Sequence, residues 1–258
     1  MGTIITLCTD FGTRDGYVGA MKGVLLSIAP QATLIDIAHD IPRQSVADGA
    51  FTLATACGYF PENTIHLVVI DPGVGSARRL VAVRTSRYFF VAPDNGVLTY
   101  ALQEQDPLEI VHLTRREYWR SVVSHTFHGR DIFGPVAAHL ANGVPLRELG
   151  ERGQDLVRLP LSAPVQTKDG MIRGHVIHVD QFGNLVTDIP AQMLAHRQAS
   201  RITVGQARIQ GIATTYAAVE PGDLLALIGS HGHLEIAVRE GSAAQVASAG
   251  IGASVEVA

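Results

Sequence analysis

The chain has 258 residues, of which 47% are hydrophobic and 17% charged, so it has the material for a large core and not the composition of a disordered chain. Its formal net charge of −4 argues against a nucleic-acid surface, which needs a basic stripe. No apolar run reaches the roughly 18 residues of a membrane span, and the amino terminus lacks the form of a signal peptide, so a cytoplasmic protein is expected. In chain order, Thr3 to Thr9 reads as a buried strand, closed by the polar loop Asp10-Phe-Gly-Thr-Arg-Asp15. Apolar residues at helical spacing run from Tyr17 to Ala29, and Pro30 stops them. Thr33 to Ala38 reads as a second strand, Gln44 to Phe60 as a second helix and Thr64 to Ile70 as a third strand. This βαβαβ alternation predicts a largely parallel sheet with helices on both faces. Right-handed crossovers then put the loops at Asp10, His39 and Asp71 on one edge. Leu80 to Thr85 and Tyr88 to Ala92 form a predicted hairpin, Val97 to Glu104 a short helix, Leu108 to Leu113 a strand and Ile132 to Ala141 a helix. Composition shifts after Gly150. The reading is an α/β domain over 1–155, a linker over 156–168 and a domain of short strands over 169–258, the pattern of a small β-barrel or sandwich. Cys8 and Cys57 lack metal-ligand spacing and read as buried thiols in a reducing compartment.

Five stretches are candidates for chemistry. In Val68-Val-Ile-Asp-Pro-Gly-Val-Gly-Ser-Ala-Arg78, Asp71 stands just past a buried strand, where open α/β sheets bind ligands. Pro72, Gly73 and Gly75 allow a tight turn that can return Arg78 toward Asp71. The bland alternative is a strand-ending turn with a solvated arginine. Asp10 and Asp15 flank a loop where a carboxylate can accept both hydroxyls of a ribose, the alternative being a capped turn. His125 and His128 precede Asp131. A metal site is disfavoured there, because no third ligand has compelling spacing. His128 as a base or polariser near Asp71 is the stronger reading, against a solvated loop histidine. Asp180-Gln-Phe-Gly-Asn184 is a good turn sequence, and Ser230-His-Gly-His233 is open in the same way.

Taken together, Thr9-Asp-Phe-Gly-Thr-Arg-Asp15, Asp71-Pro-Gly-Val-Gly75 with Arg78, Ala92-Pro-Asp-Asn-Gly96, Phe127-His-Gly-Arg-Asp131, Phe182-Gly-Asn184 and Gly229-Ser230 with Leu234-Glu-Ile-Ala237 resemble one family. It is the S-adenosyl-L-methionine hydrolases, or SAM hydroxide adenosyltransferases, relatives of the fluorinase and chlorinase enzymes. The resemblance spans nearly the whole chain. It implies a larger amino-terminal α/β domain, a smaller carboxy-terminal β-domain and a homotrimer with active sites between subunits. The implied reaction converts S-adenosyl-L-methionine and water to adenosine and L-methionine, with no cofactor and no metal. The family's catalytic set falls on Asp71, Arg78 and His128, with Arg79 adjoining as the second candidate arginine. Its substrate-binding positions fall on Asp10, Asp15, Asp180, Phe182, Asn184 and Ser230. Two departures, His231-Gly-His233 and Arg239, stand near the expected methionine and adenine contacts. A halogenase of the same fold, a metal-dependent hydrolase and a non-catalytic nucleoside-binding module are the competing readings.

Overall fold

The computed structural model describes residues 2–103, 105–160, 163–195 and 201–258. The chain divides into two compact units, Met1–Leu159 and Pro160–Ala258. In the first, β1 (Ile4–Thr9), α1 (Tyr17–Ile28), β2 (Thr33–Ala38), α2 (Val46–Cys57) and β3 (Ile65–Val69) alternate, followed by β4 (Leu80–Arg84), β5 (Phe89–Pro93), β6 (Glu109–His112), α3 (Gly134–Ala141) and β7 (Glu151–Arg152). Among the described residues they form a seven-stranded sheet in the order β2-β1-β3-β5-β4-β6-β7. β2, β1, β3 and β5 pair in parallel, and β4, β6 and β7 add antiparallel pairings. The inner strands β1, β3 and β5 are buried nearly throughout because both faces are covered, while β2 at the edge is only partly buried. Ile5, Leu7, Leu67 and Val69 pack with Met21, Leu25, Phe133 and Val136 of α1 and the α3 region. Cys8, Val68 and Ile70 point the other way, toward Leu53 and Cys57 of α2. Gly49 lets α2 lie close on β3, since a Cβ there would come within 2.8 Å of Ile70 Cδ1.

The predicted helix at Val97–Glu104 is corrected. Residues 97–102 form successive turns, and Glu104 lies outside the described residues. One helical bond, Leu98 O from Leu102 N, sits among three-residue turns such as Thr99 N to Gly96 O. A run this short does not recover the cost of helix nucleation. The helix predicted from Ile132 starts at Gly134, after a wider π-helical turn over Gly129–Phe133. Residues 155–159 belong with the first unit. Val157 N donates to Asp94 Oδ1 at 2.8 Å and Leu159 N to Thr99 Oγ1 at 2.9 Å.

The second unit is an antiparallel, barrel-like sheet. Its strands are β8 (Val165–Gln166), β9 (Ile172–Val179), β10 (Leu185–Pro190), β11 (Ile202–Val204), β12 (Ala207–Ile209), β13 (Leu224–Ile228), β14 (His233–Val238) and β15 (Ser254–Val257). They run β12-β11-β15-β9-β10-β14-β13, with β8 on β9. Short helices α4 (Ala191–Leu194) and α5 (Ala243–Val246) lie between them in sequence. Inward residues Ile172, Val176, Leu185, Ile236 and Val255 fill the interior by period-two alternation.

Candidate active site

Asp71 follows β3, whose end is tied by Asn95 Nδ2 donating to Ile70 O at 2.8 Å. The turn then closes tightly: Val74 N donates to Asp71 O at 3.1 Å and Ser76 N to Gly73 O at 3.0 Å. Gly75 sits at φ +81°, and a Cβ there would lie 2.6 Å from His125 O. A residue without a side chain is needed here both for the left-handed backbone and for the approach of the 125–131 segment. That approach brings His128 to the Asp71 turn.

Arg78 folds back over the turn. Its Nε donates to Asp71 Oδ1 at 2.5 Å, its Nη2 donates to Asp71 Oδ2, and Nη2 also lies 3.0 Å from His128 Nδ1. Both side chains of the pair are buried, with 9% of Arg78 and 5% of Asp71 exposed. Such a bidentate fork fixes the carboxylate in orientation as well as charge. Phe133 backs the guanidinium, with its ring centroid 5.9 Å away. Arg79 turns elsewhere, to Asp94 at 2.6 Å and Asp155 at 2.8 Å. Of the two arginines, Arg78 is the one that joins Asp71 and His128. Burial first, and then the positive Arg78, hold the His128 pKa below the usual histidine value. The ring is therefore neutral at neutral pH. With Nδ1 accepting from Arg78, its proton sits on Nε2.

Asp131 is fully buried and holds the loop that carries His128. Its carboxylate accepts from Arg120 at 3.0 Å, from Arg130 at 2.7 Å and 2.8 Å, and from Ser124 N at 2.9 Å. Burial works to raise its pKa, but these donors prevail and hold it at about 2. The Asp131 carboxylate is thus taken up by two arginines and a backbone N–H, and among the described residues no group of three His, Cys, Asp or Glu side chains is placed to hold a metal ion. Sequence reasoning missed this pinning role; the signal was the pair of arginines, Arg120 and Arg130, that precede Asp131 in the chain. It also missed an open cleft of about 450 Å³ lined by Phe11, Tyr17, Ser124, Thr126, Phe127 and Arg130. Phe11, Tyr17 and Phe127 meet with centroids 5.3–6.2 Å apart, and Arg130 lies 4.9 Å over Phe127.

Asp10 follows β1, on the same sheet edge, and its Oδ2 accepts from Gln44 N at 2.8 Å. Asp15 is exposed at the far end of that loop. In the second unit, Asp180 caps its own turn. Oδ1 accepts from Phe182 N at 2.9 Å and Asn184 N at 2.8 Å, while Oδ2 accepts from Asn184 Nδ2 at 2.9 Å. This leaves Phe182 78% exposed on a rigid turn, with Asn184 buried beneath. Ser230 is exposed between β13 and β14. Beside it, His231 Nε2 lies 3.1 Å from Glu235 Oε2, and Tyr216 Oη donates to Glu235 Oε1 at 2.6 Å. Burial would raise the Glu235 pKa, but its bonds to His231 and Tyr216 prevail and hold it low. Arg239, the other departure, donates to Val219 O at 2.8 Å.

Fold and site define a two-unit protein, α/β then antiparallel β, with a charged cluster at the edge where α/β sheets receive ligands. Residues 5–150 match the SAM hydroxide adenosyltransferase N-terminal domain, and residues 174–256 match the C-terminal domain of the same name. The chain belongs to the SAM hydroxide adenosyltransferase family. It is 39% identical over 245 residues to the (R)-S-adenosyl-L-methionine hydrolase of Salinispora tropica, covering 94% of this chain and 92% of that one. It is 29% identical to the fluorinase of an Actinoplanes species, covering 91% and 90%. A solved structure of a conserved protein from Thermotoga maritima superposes with a TM-score of 0.91 at 39% identity, over 99% of both chains.

Proposed function

We propose that this chain hydrolyses S-adenosyl-L-methionine to adenosine and L-methionine, with water attacking the ribose C5′. The observation that carries the reading is the buried Asp71–Arg78–His128 cluster, in a chain similar along most of its length to named S-adenosyl-L-methionine hydrolases. The scissile carbon is bonded to a sulfonium, which leaves as a neutral thioether and needs no general acid. Water needs a proton acceptor, since its own pKa is about 15.7. Each Asp71 oxygen takes one N–H from Arg78 and keeps lone-pair capacity for a water proton. Asp71 is the proton acceptor. His128, with its proton on Nε2, donates to the water oxygen and orients it. Arg78 fixes the orientation of the Asp71 carboxylate and stabilises the partial hydroxide-like charge that develops on the water during the attack. The overall step balances without a cofactor: water and a sulfonium give an alcohol, a thioether and a proton.

In this reading Asp10 takes the ribose hydroxyls, and Asp15, Asp180, Phe182, Asn184 and Ser230 bind the rest of the substrate. Asp10, Asp15 and the water-handling set fall in the unit Met1–Leu159, and Asp180, Phe182, Asn184 and Ser230 in the unit Pro160–Ala258. A homotrimer with each site shared between subunits accounts for that split. Cys8 and Cys57 are both buried in the core, which fits a reducing compartment, the cytoplasm. Mixing Asp71→Ala and Asn184→Ala subunits tests the shared site: activity returns on proven exchange if sites are shared, and stays absent if each chain works alone.

Water is favoured over halide because Asp71 faces the nucleophile. Like charges about 4 Å apart repel by roughly 4 kcal/mol at an effective dielectric near 20. Gly129, beside His128, offers a halide no hydroxyl. The deciding assay follows both sulfonium epimers of the substrate in oxygen-18 water, the (R) form being the one in the relative's name. Adenosine labelled at the 5′-oxygen is expected. A 5′-halogenated product in chloride or fluoride, or tight adenosine binding without turnover, overturns the reading.

A further inference from the structure

We propose that His39 is a positioning residue that, through Thr9, holds the Asp10 loop in its ligand-binding geometry. The proposal rests on the reading of Asp10 as the ribose-binding carboxylate. It begins with a register shift: along the parallel β1–β2 pair Leu7 faces Asp36, but Cys8 faces Ala38. The skipped residue carries His39 level with Thr9, the residue before Asp10. Irregularities of this kind re-aim side chains beside functional sites.

The His39 ring is buried, at 6% exposure. Its Nδ1 lies 2.8 Å from Thr9 Oγ1, and its Nε2 lies 3.0 Å from Asp36 Oδ1, off the line of a full hydrogen bond. Lys22 Nζ donates to the other oxygen of Asp36 at 2.6 Å. Asp36 can only accept, so the imidazole proton belongs on Nε2 and Nδ1 accepts from the Thr9 hydroxyl. Thr9 Oγ1 in turn accepts from Phe11 N at 3.3 Å, and His39 O accepts from Gly12 N at 2.7 Å. His39 thus reaches the chain on both sides of Asp10, by side chain before it and by backbone after it. On its other side the Asp10 carboxylate is held by Gln44 N, and Gln44 stands at φ +63°, a left-handed conformation unfavourable for that residue. A core histidine needs none of this. Contacts that converge on one loop from a shifted strand and a strained backbone point to the loop as what is being held.

The test compares wild type with Asp10→Ala, Thr9→Val, His39→Gln and His39→Asn. Binding of adenosine and of 2′-deoxyadenosine is measured for each, together with KM and kcat on S-adenosyl-L-methionine. His39→Asn keeps an acceptor near the place of Nδ1, and His39→Gln does not. Wild type is expected to prefer adenosine by about tenfold, the worth of a charged hydrogen bond. Thr9→Val and His39→Gln lose most of that preference and raise KM by a similar factor, with kcat little changed, while His39→Asn retains it. Lowered stability alone does not move a preference measured within one folded variant. Thr9→Val removes a hydroxyl at constant shape and carries the test should His39→Gln fail to fold. If Asp10→Ala loses the preference while Thr9→Val and His39→Gln keep it, this proposal falls and the ribose reading stands. If Asp10→Ala itself keeps the preference, the ribose reading fails and the proposal with it.

Discussion

Removing Arg78 separates two roles of the Asp71 pair, holding the fold and, in the proposed reaction, doing chemistry. In Arg78→Met the Asp71 carboxylate, 5% exposed, stays buried without its cation. Breaking a buried pair from one side costs about 3–5 kcal/mol, mostly the penalty of the stranded charge. At a urea m-value near 2 kcal/mol/M, that lowers the unfolding midpoint of the first unit by roughly 2 M. Asp71→Asn strands the guanidinium instead, against Phe133 and His128. The double variant Asp71→Asn/Arg78→Met strands neither charge and recovers most of the loss, so the coupling energy comes out at roughly 2 kcal/mol or more. Urea unfolding of the four proteins, each checked for a single transition, measures it. Turnover is expected to follow a different pattern: it is lost in all three variants, because the proposed proton acceptor or its orientation is gone in each. Arg79→Gln, whose parent guanidinium faces Asp94 and Asp155, retains most turnover. A coupling energy below about 0.5 kcal/mol would place the pair in screened solvent and refute the burial argument. Equal loss of turnover in Arg79→Gln would refute the choice of arginine.

Acid should destabilise the first unit in two separate windows. His66 is fully buried, its Nδ1 is 2.8 Å from Thr6 Oγ1, and burial pushes its pKa down to about 4. A folded value below the unfolded one means that its contribution is complete above about pH 6.5 and is lost as pH falls through 4, up to about 3 kcal/mol. His66→Phe should flatten the stability curve over that range, and an unchanged slope would refute the assignment. Asp131, held at about 2 against an unfolded value near 3.9, contributes fully above that unfolded value and loses its share as pH falls through 2. Asp131→Asn should remove that lower window, lower the stability at neutral pH by about 2 kcal/mol and reduce kcat by loosening the loop of His128. Urea midpoints taken from pH 2 to pH 8 check both expectations.

Local pattern and tertiary contact divided the information between them. β2 over Thr33–Ala38 and the start of α1 at Tyr17 were legible to the residue, because the short apolar run of one and the helical spacing of the other are local patterns that leave their mark within a few positions. So was the edge that gathers Asp10, His39 and Asp71, since right-handed crossovers between parallel strands leave little choice of side. The turn at 97–102 was not legible, because its apolar spacing also suits a short helix and only side-chain anchors such as Thr99 Oγ1 to Leu159 N show what it serves.

Residue chemistry alone marked Asp71 with an arginine seven positions on, and a histidine fifty-seven positions beyond Asp71, as candidates for one site. Which arginine joins them was decided in three dimensions. Arg78 and Arg79 are neighbours of identical type, and local sequence weighs them equally. Only the turn at Gly75, pressed against His125, sends Arg78 inward to Asp71 and His128 and leaves Arg79 for Asp94 and Asp155. The strand order, the shift that sets His39 level with Thr9 and the closing of Arg120 and Arg130 on Asp131 were likewise settled by packing. Each depends on residues far apart in the chain finding one low-energy arrangement, and a local pattern carries no record of its distant partner.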